Sequence, residues 1–159
     1  MNWPHLHAVQ LYEEVLFPVC SPALAEGDPP LRVPADIARH TLLHLDYRDD
    51  WRKWLRAAGV EDAVLDRGAV MNQINLAIDA AVGGQGIALA RTALAARDLL
   101  DGRLVRPFGP NLAVSYGYYV VCPKRYAEET KIAIFRDWML AEVAAEREAL
   151  GALLQLSDR

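Results

Sequence analysis

The chain has 159 residues, of which 53% are hydrophobic and 24% charged, and 17 basic against 21 acidic side chains give a formal charge of -4. That is enough chain for one ordinary domain with a real core, and too much apolar content for an intrinsically disordered segment. It lacks the basic surplus of a dedicated nucleic-acid-binding domain and any uncharged apolar run long enough to span a bilayer.

The opening residues, Met1 to His5, carry neither the basic start nor the apolar centre of a signal peptide. Residues 15–20, VLFPVC, form a short apolar, β-branched run that predicts a buried strand stopped at Ser21-Pro22. Gly27, Pro29, Pro30 and Pro34 mark 25–34 as a loop. One helical turn is expected over 36–39 and a second strand over 41–45. Asp50 is placed to cap a helix over 51–58, whose Trp51, Trp54, Leu55 and Ala58 fall three and four apart before Gly59.

A strand is expected within 63–70, followed by a helix with Asn72 as N-cap that ends at Gly83-Gly84. The run 86–90 predicts a further strand, and 92–100 a helix closed by Asp101-Gly102. Leu104-Val105 reads as a short strand. Residues 116–122 alternate aromatic and aliphatic side chains and read as a strand ended by Pro123. A long helix is expected over 130–150, with an apolar stripe of Ile132, Phe135, Met139 and Val143, and with the last nine residues frayed. Strands alternating with helices imply an α/β fold with a mixed, mostly parallel sheet covered by helices on both faces.

Few local motifs carry chemistry. Asn72-Gln73-Ile74-Asn75 stands at an expected helix start after a strand, where unpaired N–H groups and the helix dipole favour an anion; the plainer account is that Asn72 only caps. Gly83-Gly84-Gln85-Gly86 closes a helix instead of opening one, so it is a cap and turn and not a phosphate cradle. His5 and His7 lack a third metal ligand, and His40 and His44 could share a strand face. Cys20 and Cys122 match no metal spacing and are expected to be free thiols in a reduced, cytoplasmic setting. Asp49-Asp50 reads as a helix start, and the charged face beyond the C-terminal stripe as solvated. No cofactor motif and no local nucleophile–base set is present, so neither a cofactor nor catalysis is expected.

The succession EEVLFPVCSPAL, LLHLD, WRKWLRAAG, NLAIDAAVGGQGIALARTALAARDLLDGRLVRPF, YGYYVVCP and FRDWMLAE resembles the effector domain of LysR-type transcriptional regulators, in the branch of glycine-cleavage and β-lactamase gene activators. It spans about residues 11–142, and 75–108 is its most specific part. The resemblance implies a lobe like that of type-2 periplasmic binding proteins: 1–13 would end the first lobe and cross over, 14–122 would be the second lobe, and 123–159 the return segment with the C-terminal helix.

It further implies a regulator, not an enzyme, that binds a small anionic or amino-acid-like effector in a cleft between lobes. DNA would be contacted only through a helix-turn-helix domain that these residues do not contain. The second-lobe ligand candidates are then His44, Leu45 and Asp46, Asn72, Gln73 and Asn75, and Tyr116 and Tyr118. Many relatives carry hydroxyl residues where Ile74 and Asn75 stand. The return helix would normally pack on the first lobe, so its apolar stripe is expected to drive a homodimer or a swapped oligomer. Two alternatives are an oligomerising fragment without ligand sensing and an α/β enzyme.

Overall fold

The computed structural model describes residues 3–46, 49–60 and 68–157, the last four by backbone alone. Its strands are β1 (Leu6–Val19), β2 (Leu42–Leu45), β3 (Val70–Met71), β4 (Ile87–Arg91) and β5 (Leu112–Pro123). Its α-helices are α1 (Pro22–Glu26), α2 (Asp49–Ala57), α3 (Ile74–Val82), α4 (Thr92–Leu100) and α5 (Thr130–Ser157). The sheet order is β3-β2-β4-β1-β5. β2 runs parallel to β3 and β4, whereas β1 runs antiparallel to β4 and β5. The sheet is therefore mixed, as expected, but its parallel part is confined to three short strands and its two longest strands pair antiparallel.

Strand alternation distributes side chains between two cores. Phe17, Val19, Leu43, Ala88 and Ala90 face α3, α4 and the end of α5, where Ala77, Ala81, Ala95, Ala96, Leu99 and Leu150 pack. Cys20, Leu42, Ile87 and Leu89 face the other way, against Leu31, Ile37 and the Trp51, Trp54 and Leu55 side chains of α2. Helices thus cover both faces. Gly109 (φ +96°) shows how tightly the second core closes, because a Cβ there would lie 2.2 Å from the Trp54 ring.

Several local expectations change. β1 begins at Leu6 and not at Val15, because its first half pairs with β5 in a register that shifts between Gln10 and Tyr12 and again between Glu13 and Val15. Such bulges break the alternation by which a strand is read from sequence. A short helix, α1, occupies the start of the loop, with Ser21 Oγ accepting from the Leu24 N–H at 3.3 Å. The turn at 36–39 is a 3-10 helix, Pro34–Arg39, held by Asp36, whose carboxylate accepts from the N–H groups of Arg32 (2.8 Å) and Val33 (2.9 Å).

Asn72 is not the N-cap of α3. That position is Gln73, with no side-chain capping bond, so the expected cap chemistry is absent there. The strand expected in 63–70 lies largely outside the described residues; of it, Val70 opens β3. His40 is not on a strand with His44 but ends the 3-10 helix.

α5 departs furthest from expectation. It continues to Ser157 instead of fraying after residue 150, because Leu150 is buried and Leu153 packs on the first core. The inward stripe runs through half-buried Ile132, Arg136, Met139, Val143 and Glu146 to buried Leu150, in alternating steps of four and three. Phe135 is 53% exposed, beside exposed Ile134 and Trp138. Arg136 turns inward in its stead: its guanidinium donates to the Ala127 carbonyl (3.2 Å) and pairs with Asp137 (2.9 Å).

Candidate functional site

The parallel strands end at one edge of the sheet, the usual location of sites in open α/β folds. Leu45 pairs with Met71, so Asp46 and Asn72 are the next positions along β2 and β3. Arg91 ends β4 and pairs with Leu16, which also pairs with Leu112 at the start of β5. The N-terminus of α2, with Asp49 and Asp50 in its first turn, comes to the same edge.

Between these elements is an open cleft of about 560 Å³, walled by Leu16, Asp49, Asp50, Lys53, Arg91 and the 112–116 stretch of β5. Its size suits a small molecule. A narrower hollow lined by Leu43, Leu45, Trp51, Ala77 and Leu89 shares Leu16, Asp50 and Arg91 with it. Trp51 is fixed there by its indole N–H, which donates to the Leu43 carbonyl at 3.1 Å.

The charged groups at the cleft are unequally occupied. Asp50 pairs with Lys53 at 3.4 Å and Asp49 with Arg52 at 3.8 Å, both favoured by the helix N-terminus and both weakened by solvent. Glu14, 1% exposed, accepts from the Ala93 N–H at 3.2 Å at the start of α4. Burial raises the Glu14 carboxyl above its ordinary range, against the lowering effect of that N–H and of the Arg91 charge. The Arg91 guanidinium lies over the Tyr116 ring, 4.6 Å from its centroid. Its Nε is buried with no hydrogen-bond partner.

The sequence-derived candidates divide accordingly. Tyr116 lines the open cleft and Leu45 its narrow end. Asp46, Asn72, Gln73 and Asn75 are exposed at the same edge of the sheet. Tyr118 is 37% exposed on β5, opposite Tyr12, which donates its hydroxyl proton to the Glu146 carboxylate of α5. His44 is fully buried within β2, its backbone N–H on the Ala69 carbonyl at 2.9 Å, and is not among the residues lining the cleft.

Sequence reading passed over Arg91, Lys53 and the 112–115 stretch. A signal for Arg91 was available: it is the charged residue between the apolar run 87–90 and a helix start, the same strand-end position that singled out residues 44–46.

Residues 2–144 match the LysR substrate binding domain family. The chain belongs to this family. It is 44% identical over 147 residues to the glycine cleavage system transcriptional activator of Escherichia coli K12, covering 92% of the chain and 48% of that protein. It is 33% identical over 145 residues to the transcriptional activator AmpR of Pseudomonas aeruginosa, covering 91% and 48%. The chain thus spans about half the length of these relatives. Among solved structures, the effector domain of Pseudomonas aeruginosa AmpR superposes with a TM-score of 0.68 at 33% identity, over 96% of this chain and 71% of that one. The AmpR effector binding domain of Citrobacter freundii gives 0.70 at 25% identity, over 91% and 70%. The fold is that of LysR effector-binding domains, and these homologues are transcriptional regulators, not enzymes.

Proposed function

We propose that this LysR effector domain senses a small anionic or amino-acid-like metabolite in the cleft at the β2/β4 edge and thereby modulates transcription. The observation that carries the reading is the cleft itself: about 560 Å³, between β5, the first turn of α2 and the C-terminal end of β4, with Arg91 in its wall. Leu45 and Tyr116 supply apolar and aromatic lining, and Asp46, Asn72, Gln73, Asn75 and Tyr118, which do not line the cleft itself, are expected to reach the bound effector from beyond its wall. In this reading 14–122 is the second lobe, 1–13 the crossover and 123–159 the return segment. β1 runs through the 13/14 boundary without a break.

Contact with DNA would run through a helix-turn-helix domain outside these residues, and the setting would be cytoplasmic. Among the described residues no helix is long and apolar enough to cross a membrane. Exposed Ile134, Phe135 and Trp138 favour self-association as a homodimer or swapped oligomer.

A thermal-unfolding screen against amino acids, small carboxylates, aromatic acids and peptidoglycan fragments tests the sensing role. A ligand at about a hundred times its Kd adds roughly 2.7 kcal/mol, a rise of several degrees in Tm. The expected result is a dose-dependent shift that disappears on changing Asn72 or Tyr118. A cooperative melt unmoved by the whole panel would instead favour an oligomerising, ligand-blind role.

A further inference from the structure

We infer that Arg91, seated on the Tyr116 ring, is the residue of this cleft that takes a carboxylate group of the effector. The inference rests on the effector-site reading above and adds the recognition chemistry. Arg91 is placed by two elements at once, as the last residue of β4 and the N-cap of α4. Its backbone is therefore held by the sheet while its side chain lines both the open cleft and the narrow hollow.

The charge balance around it is the second observation. The two acids that line the cleft are engaged, Asp50 with Lys53 and Asp49 with Arg52, and the buried Glu14 gives one carboxylate oxygen to the Ala93 N–H while its other, Oε2, has no hydrogen-bond partner. Glu14 acts on Arg91 only through space. Among the described residues the Arg91 side chain forms no ion pair and no hydrogen bond, and its one charge-type contact is the cation–π stacking on the Tyr116 ring at 4.6 Å. A buried Nε–H left unfilled is costly to hold, because its desolvation is not repaid.

A carboxylate presents two oxygens at the spacing of the guanidinium fork and satisfies those donors in one contact. The ring beneath holds the guanidinium plane in place before the ligand arrives, which lowers the ordering cost of binding. Two further carboxylates in the same wall, Asp49 and Asp50, disfavour a phosphate dianion and leave a single carboxylate as the better match.

The test is a nuclear magnetic resonance titration of the whole ¹⁵N-labelled chain, reading arginine side-chain Nε–H signals. The probes are glycine, alanine and benzoate, each paired with its amide (glycinamide, alaninamide, benzamide), together with inorganic phosphate. Arg91→Gln assigns the Arg91 signal by its loss, and Arg91→Lys, which keeps the charge but not the fork, guards against a variant that misfolds.

The expected result is that one carboxylate moves the Arg91 signal while its amide does not. Affinity should then fall about tenfold or more in Arg91→Gln and by less in Arg91→Lys. A carboxylate bound equally by wild type and a folded Arg91→Gln, or an amide bound as well as its acid, overturns the inference and leaves the sensing role intact. Phosphate bound in preference to every carboxylate overturns the carboxylate assignment. No binding by any member of the panel overturns the inference and the sensing role together.

Discussion

One sheet carries two unlike coats. On one face, α3 and α4 lie on β4 through alanines, with Ala77, Ala81, Ala88, Ala90, Ala95 and Ala96 all buried. On the other, α2 presents Trp51 and Trp54, in edge-to-face contact at 6.0 Å, with Phe108 6.2 Å beyond. Small side chains let the helix backbones approach the sheet closely. Large rings hold the helix off the sheet, anchor it by directed hydrogen bonds, and bring the acidic first turn of α2 to the wall of an open cleft. The difference shows how one strand, β4, can be a close-packed floor on one side and end in a ligand-facing arginine on the other.

The largest expected effect breaks the aromatic coat. Trp54→Ala removes a fully buried indole together with its 2.9 Å hydrogen bond to the Pro110 carbonyl. We expect a loss of about 3–5 kcal/mol in urea unfolding, since cavity and transfer terms add. A loss below about 1 kcal/mol would mean that α2 is not held by this residue. On the alanine face the converse change is informative. Ala81→Leu inserts bulk where no space exists, and overpacking should cost about 1–3 kcal/mol. A neutral or stabilising result would show that this coat is looser than the aromatic one.

A smaller effect sharpens the contrast through pH. Glu14 is the buried acid at the start of α4, and burial raises its carboxyl above the ordinary range. The folded chain then binds that proton more tightly than the unfolded chain. Its contribution to stability is complete below the unfolded pKa and is lost as pH rises through the raised folded value. Relative to Glu14→Gln, the wild type should lose stability as pH climbs from about 4, until Glu14 has ionised. Parallel denaturation midpoints for the two proteins across that range would remove Glu14 as the source.

The smallest effect leaves stability untouched and reports burial alone. Cys20 is fully buried in the aromatic core, and burial pushes its thiol up to about 12, whereas Cys122 is half-buried on β5. A thiol reagent at pH 8 should modify Cys122 and leave Cys20 intact until denaturant is added. Equal labelling of both in the native protein would contradict the packing of the second core.

Elements with one strong local signal were legible in the residues. Helix α4 occupies the span expected, because Thr92 follows an apolar run and Asp101-Gly102 closes it with Gly102 at φ +70°. Helix α2 ends as Gly59 predicts, at φ +73°. The first half of β1 was not legible, since bulges opposite β5 scramble its alternation, and β5 itself starts four residues before its aromatic run. In α5, hydrophobicity favoured Phe135, yet Arg136 holds the inner position by reaching the Ala127 carbonyl. Of the proposed site, Tyr116 and Leu45 were singled out from the sequence, while Arg91 was not.

By itself the sequence determined the alternation of strands and helices, the glycine stops and the succession of segments that marks the LysR family. These depend on neighbours within a few residues or on order along the chain. Only the tertiary structure decided that β1 and β5 run antiparallel, that His44 is buried, and that Arg91 lies over Tyr116, 25 positions later in the chain. Those facts depend on strand register and on which face of the sheet each side chain meets, and a contact between distant positions has no local period from which to be read.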